Sequence, residues 1–254
     1  MKIISDKAIV IGFEEVDFNK FPNLRVIGCN ATSTEHIDEE CKKRDIKVIS
    51  LKGHNVFLSG ITSTAEHTAG LMIALLRNYK MALNAPYQDR EVYKGHTLSD
   101  KVLGIIGNGR VGRQLKKIAV GFSITVITHD KNEPYLDNLL EESDLISLNI
   151  PLLGNEGFFT KAMFLKMKPT ACIINTSRDK IIEKGALLWA LENKIIAGAA
   201  VDFLEDEDLV VYAATHNNLI LTNHIGGCTE EDMVRTENFI INQVNLFLEN
   251  EIKS

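Results

Sequence analysis

At 254 residues, with 45% hydrophobic and 24% charged side chains, the chain is long enough to bury a substantial core, in one large domain or two smaller ones, and reads as globular rather than disordered. Its net charge of −6, without a long Lys/Arg run, supplies no electrostatic footprint for nucleic acid. The opening MKIISDKAIVIGFEEVD has no long apolar stretch behind a basic start, and no segment holds the roughly 20 apolar residues that span a bilayer, so a cytoplasmic protein without a membrane partner is expected.

In chain order, the first predicted strands are AIVIG (8–12), LRVIG (24–28) and IKVIS (46–50). STAE (63–66) then sets Ser63 and Glu66 at capping-box spacing before HTAGLMIALLRNYKMALNA, a helix apolar nearly all round and so expected to be a buried spine. The polar stretch PYQDREVYKGHTLSDK (86–101) marks a boundary. Six further strands follow: VLGIIG (102–107), ITVIT (124–128), LISLNI (145–150), ACIIN (171–175), IAGAAVD (196–202) and LILTN (219–223). Continuous apolar strands separated by helices predict parallel sheets covered on both faces. Cys29, Cys41, Cys172 and Cys228 lie far apart without a CxxC pair, which predicts small buried side chains and neither a disulfide framework nor a metal site.

The sharpest local signal is VLGIIGNGRVGRQLKKIAVGF (102–122). Gly107, Gly109 and Gly112 form GxGxxG directly after a strand and at the opening of a helix. Gly107 permits the tight turn, Gly109 lets a pyrophosphate approach the backbone, and Gly112 brings helix and strand close; Arg110 and Val111 stand at the helix N-terminus, which favours an anion. Asp130 ends the next strand, where a carboxylate bonds a ribose 2′-hydroxyl and repels a 2′-phosphate, so the cofactor expected is NAD rather than NADP. A methyltransferase also uses a glycine-rich turn followed by an acid, and on that basis the motif alone does not name the chemistry.

In open α/β sheets ligands bind beyond the carboxyl ends of the strands. Arg178 follows ACIIN, the acids Glu205, Asp206, Glu207 and Asp208 follow IAGAAVD, and His224 follows LILTN. Arginine suits bidentate recognition of a carboxylate, and a histidine oriented by a carboxylate exchanges a proton near neutral pH. These parts fit hydride transfer at a carbinol carbon. Taken singly, each has a plainer reading: a solvated arginine, a hydrated acid cluster, a structural histidine.

With these motifs in place, the sequence resembles the D-isomer-specific 2-hydroxyacid dehydrogenases over roughly residues 22–250. The likeness is strongest in LGIIGNGRVGRQL, MKPTACIINTSRDKIIEKGALLWALENKIIAGAAVDFLEDED and LTNHIGGCTEEDM. The resemblance implies an α/β fold with a Rossmann-type doubly wound parallel sheet plus a smaller flavodoxin-like domain truncated at the N-terminus. Residues 1–77 and 229–254 would form the small substrate-binding domain and residues 78–228 the NAD-binding domain, in a homodimer.

By the same likeness Arg178 is the substrate-binding arginine, His224 the acid/base and Glu207 its paired carboxylate, while Asp202 lies close to the nicotinamide. The amides of Ala31 and Thr32, in CNATSTEHID (29–38), would hold the substrate carboxylate. Asp179 and Asn223 depart from the family's usual R-G and P-H pairs, and only 23 residues precede LRVIG. The final pattern, TEEDMVRTENFIINQVNLFLEN, predicts a helix with Met233, Phe239, Ile240, Val244, Phe247 and Leu248 on its apolar face.

Two functions stand: an oxidoreductase acting on a small D-2-hydroxy or 2-oxo acid, 3-phosphoglycerate among them, or a catalytically weak NAD(H) sensor on the same scaffold. Lys52, Arg77 and Lys80 are candidate partners for a substrate phosphate, and His54 and His67 are expected to be structural or solvent-facing.

Overall fold

The computed structural model describes residues 1–85, 89–131, 135–202 and 206–253. It forms two compact units, Met1–Ile61 with Thr229–Ser254, and Thr62–Cys228.

The smaller unit holds a four-stranded sheet in the order β1 (Lys2–Ser5), β2 (Ala8–Ile11), β3 (Val26–Cys29), β4 (Lys47–Ser50). Strands β2, β3 and β4 are parallel, whereas β1 runs antiparallel to β2. That hairpin is absent from the sequence reading because KIIS is four residues long and turns back through Asp6 and Lys7 without a glycine signal. Alternate residues of the strands serve opposite faces. Ile9, Ile11, Ile27 and Cys29 pack with Ile37 and Cys41 of α1 (Glu35–Lys43).

Ala8, Val10 and Val26 pack instead with Leu58 of α2 (Asn55–Leu58) and with Ile240 and Val244 of the C-terminal helix, Glu230–Lys253. A side chain at Gly28 would collide with Ile240 and Val244, so this helix lies closer to β3 than any residue but glycine allows. Met233, expected on the apolar face, is instead 49% exposed.

The larger unit begins with α3 (Ser63–Leu76) and α4 (Tyr79–Asn84), separated by Asn78 at φ +53°, which breaks the single helix expected there. The N-cap residue of α3 is Thr62, whose hydroxyl bonds the Glu66 carboxylate, in place of the predicted Ser63 box. Then β5 (Val102–Ile106), α5 (Arg110–Gly121), β6 (Thr125–His129), α6 (Leu136–Glu142), β7 (Leu145–Leu148), α7 (Lys161–Phe164), β8 (Cys172–Asn175), α8 (Ala186–Glu192), β9 (Gly198–Val201), α9 (Glu207–Thr215) and β10 (Leu219–Leu221) alternate.

All six strands are parallel, in the order β10-β9-β8-β7-β5-β6. The chain leaves β5 for β6 on one side and returns to β7 on the other, which opens a crevice at their carboxyl ends. Both faces are covered, as the unbroken apolar runs predict: Ile146 and Ile173 serve one core, Leu145 and Ile174 the other. The second core also takes Ala65, Ala69, Met72 and Leu76 of α3. Because that helix packs on α5, β8 and β9, the larger unit starts at Thr62 rather than at residue 78.

Burial pushes the Cys29 and Cys41 thiols up to about 11 and Cys172 to about 12, which makes them inert packing groups. Cys228 differs from expectation and is exposed.

Candidate active site

Between β5 and α5 the three glycines are distinguished by what a side chain would meet. At Gly107, φ is +101° and a Cβ would strike the Asn149 carbonyl, directly after β7; at Gly112 it would strike the Gly107 carbonyl. At Gly109 φ is −74° and a Cβ would meet nothing within 4 Å. Gly107 and Gly112 are thus required by the fold, while Gly109 opens on the space above the N-terminus of α5, where Arg110 and Val111 begin the helix.

A pyrophosphate fits that space, since helix-terminal amides and the dipole favour an anion. Nδ1 of His129 and Oδ1 of Asn149, at the ends of β6 and β7, are buried and find no partner among the described residues. Asp130 follows β6, is exposed, and accepts the Lys131 amide at 2.8 Å. These residues fit a dinucleotide whose ribose reaches Asp130.

Arg178 leaves β8 through a tightly bonded turn. Asn175, 1% exposed, donates its amide to the Arg178 carbonyl at 2.7 Å and accepts the Ser177 amide at 3.0 Å. Ser177 donates its hydroxyl to the Leu148 carbonyl at 2.9 Å, and Thr176 shares a 2.9 Å bond with Thr68 of α3. The half-buried Arg178 donates to the Ser177 carbonyl at 2.7 Å.

Asp202 follows β9 and is 2% exposed. Its carboxylate accepts Thr222 Oγ1 at 2.6 Å, the amides of Ile225 and Gly226 at 2.9 and 2.7 Å, and His67 Nε2 at 3.2 Å. Burial alone would raise its pKa, but the donors from His67, Thr222, Ile225 and Gly226 outweigh burial and hold the carboxyl below its ordinary value. Asp202 is therefore an anchor for the segment carrying His224, a role the sequence reading did not give it.

His224 sits at φ +56°, a conformation that costs a non-glycine residue roughly 1 kcal/mol and survives only where neighbours impose it. Its amide donates to the Asp202 carbonyl at 2.6 Å. Burial lowers the imidazole pKa, Arg178 lowers it further, and Asp202 opposes them. The structure thus brings Arg178, Asp202 and His224 into one electrostatic neighbourhood.

Glu207 is placed differently. It is the exposed first residue of α9, capped by Asp206, which accepts the Asp208 and Leu209 amides at 3.0 and 3.4 Å. No ion pair joins Glu207 to His224 among the described residues, and Glu205 lies outside them.

In the smaller unit Ala31 is buried, with its carbonyl bonded to the Leu51 amide at 3.0 Å and its own amide set against the Cys29 sulfur; Thr32 is exposed. Lys80 Nζ donates to the Ala213 and Leu219 carbonyls at 2.5 and 2.7 Å, so it is bound to the protein rather than presented to a substrate, while Lys52 and Arg77 are exposed. His54 packs edge-on against Phe239 at 4.8 Å. His67, expected to be structural or solvent-facing, bonds Asp202 and Thr222 through Nε2.

The family model of the D-isomer specific 2-hydroxyacid dehydrogenase NAD binding domain matches residues 69–226, more than half of the chain. The chain belongs to that family. As a D-isomer-specific 2-hydroxyacid dehydrogenase family member, it carries the family's NAD-binding domain, and its dinucleotide is NAD. D-3-phosphoglycerate dehydrogenase of Bacillus subtilis is 33% identical over 84% of this chain but only 43% of the relative. A glyoxylate reductase of Thermococcus litoralis is 30% identical over 97% of this chain and 82% of the relative. The chain therefore spans less than half of the first relative and most of the second. D-Lactate dehydrogenase of Escherichia coli shares the fold, with a TM-score of 0.83 at 24% identity over 96% of this chain and 83% of that one.

Proposed function

We propose that the protein is an NAD-dependent oxidoreductase that moves a hydride between the nicotinamide and a small D-2-hydroxy acid or its 2-oxo acid. The observation that carries this reading is the placement of Arg178 and His224 beyond the ends of β8 and β10, on either side of β9, with Arg178 acting on the His224 imidazole. Bound NAD supplies the hydride acceptor. Arg178 holds the substrate carboxylate and the oxygen at the reacting carbon. His224, neutral at neutral pH because burial and Arg178 depress its pKa, takes the hydroxyl proton on an imidazole nitrogen in oxidation and returns it in reduction.

The engagement of Lys80 by backbone carbonyls removes one candidate cation for a phosphate and favours an unphosphorylated acid such as glyoxylate or hydroxypyruvate over 3-phosphoglycerate. The exposed place of Glu207 favours a second reading, a weakly catalytic NAD(H) sensor. Homodimer assembly in the cytoplasm completes the first reading.

The test is NADH consumption with glyoxylate, hydroxypyruvate, pyruvate and phosphohydroxypyruvate, alongside His224→Gln. Turnover lost in the variant supports the dehydrogenase; tight NADH binding without turnover on any acid supports the sensor.

A further inference from the structure

His67 is a partly buried titratable group with no part in the chemistry above. It lies on α3, is 18% exposed at its side chain, and puts Nε2 3.2 Å from both Asp202 Oδ1 and Thr222 Oγ1. The network assigns its tautomer. Thr222 has one hydroxyl proton and gives it to Asp202 at 2.6 Å; Thr222 Oγ1 and Asp202 Oδ1 are then both acceptors toward the ring, and Nε2 must carry hydrogen.

Asp202 in turn receives the amides of Ile225 and Gly226 and, through its carbonyl, that of His224. The next residue of α3, Thr68, bonds Thr176 in the turn that ends in Arg178. Two consecutive residues of one helix therefore brace the loops that present the histidine and the arginine.

We infer that His67 is a positioning residue: by fixing the Asp202 carboxylate it imposes the left-handed backbone of His224 and sets the placement of that imidazole relative to Arg178. His67 touches no substrate in this scheme and acts only through Asp202 and Thr222. The inference rests on His224 being the acid/base group, but part of its test does not require turnover. Three facts support it: the strained φ of His224, the lack of room at Gly226, where a Cβ would lie 2.7 Å from Asp202 Oδ2, and the bonding of residues on both sides of His224 to the same carboxylate. Among the described residues Arg178 and Asp202 act on His224, and the acid bonded to His67 is Asp202.

The experiment compares the wild type with His67→Ala and His67→Gln; the glutamine side chain offers an N–H donor in place of Nε2. NMR titration of the His224 imidazole, with no cofactor present, is read beside kcat and KM. The expected result for alanine is a His224 midpoint raised toward that of free imidazole by about half a pH unit, as the loosened loop lets water in, with kcat down roughly tenfold and KM for NADH unchanged. Glutamine should restore both readouts. If alanine prevents folding, His67→Gln against Thr222→Val gives the same contrast. An unmoved His224 midpoint with unchanged kcat in the donor-lacking variants overturns the inference. Full turnover by His224→Gln overturns the acid/base reading separately, since the NMR shift is scored without reference to activity.

Discussion

The His224 amide donates to the Asp202 carbonyl at 2.6 Å while the Asp202 carboxylate takes the amides of Ile225 and Gly226, so one buried acid holds the backbone of the histidine and of the two residues after it. Replacing Asp202 by Asn sets an amide donor against donors and is expected to cost about 2–4 kcal/mol of stability in the larger unit. The sign of the pH dependence follows from its depressed pKa. The contribution is fully present above the unfolded carboxyl value, near pH 4, and is lost as pH falls through the lower folded value. Urea unfolding from pH 7 to pH 2 measures this: the acid loss should shrink in Asp202→Asn, and an identical slope in both proteins would assign it to other carboxyls.

The glycine loop makes a paired prediction. Gly107→Ala meets both a positive φ and the Asn149 carbonyl, and should destabilise by about 3 kcal/mol or more. Gly109→Ala has room and an ordinary φ, so its melting temperature should match wild type while NADH affinity, measured by fluorescence titration, falls roughly tenfold or more as the methyl occupies the pyrophosphate's approach. Unchanged affinity at Gly109→Ala would move the pyrophosphate elsewhere.

His224 should titrate below the ordinary imidazole value, chiefly through burial and secondly through Arg178. In the proposed function, reduction of a 2-oxo acid uses the protonated ring, so kcat/KM should decline as pH rises through a value below roughly 6.5. In Arg178→Gln, where the cation is gone, the His224 midpoint seen by NMR should move up; a fixed midpoint would leave burial as its whole cause. Because this pKa is lower in the folded state than in the unfolded chain, His224 also contributes a loss of stability as pH falls through that window.

Lys80 joins α4 to the end of α9 and to β10 through two carbonyls. Lys80→Met should lower stability by about 1–3 kcal/mol and leave KM unchanged for every acid the protein turns over. A rise in KM confined to a phosphorylated acid would return Lys80 to the substrate site.

The larger unit was legible because each signal was local. Runs such as ACIIN are buried on both faces and need no distant information, and the glycines of GNGRVG act on backbone within a few residues or one strand away. Arg178 and His224 were legible as strand-end residues. The anchor role of Asp202 was not: its partners at 67, 222, 225 and 226 meet only once β9, β10 and α3 are packed. His67 was hidden for the same reason, and β1 because four residues with a two-residue turn carry little pattern. Glu207 was singled out by resemblance, and the structure makes it the exposed first residue of α9.

The pairing of Gly28 with Ile240 and Val244 has a consequence during synthesis. The sheet face formed by Ala8, Val10 and Val26 leaves the ribosome before the larger unit, and the helix that covers it leaves after that unit. At ordinary elongation rates, translating the intervening unit takes roughly ten to thirty seconds. For that interval the nascent chain carries an uncovered apolar surface while the larger unit is made, so the segment before that unit must wait, unfolded or chaperone-held, for the helix after it to arrive.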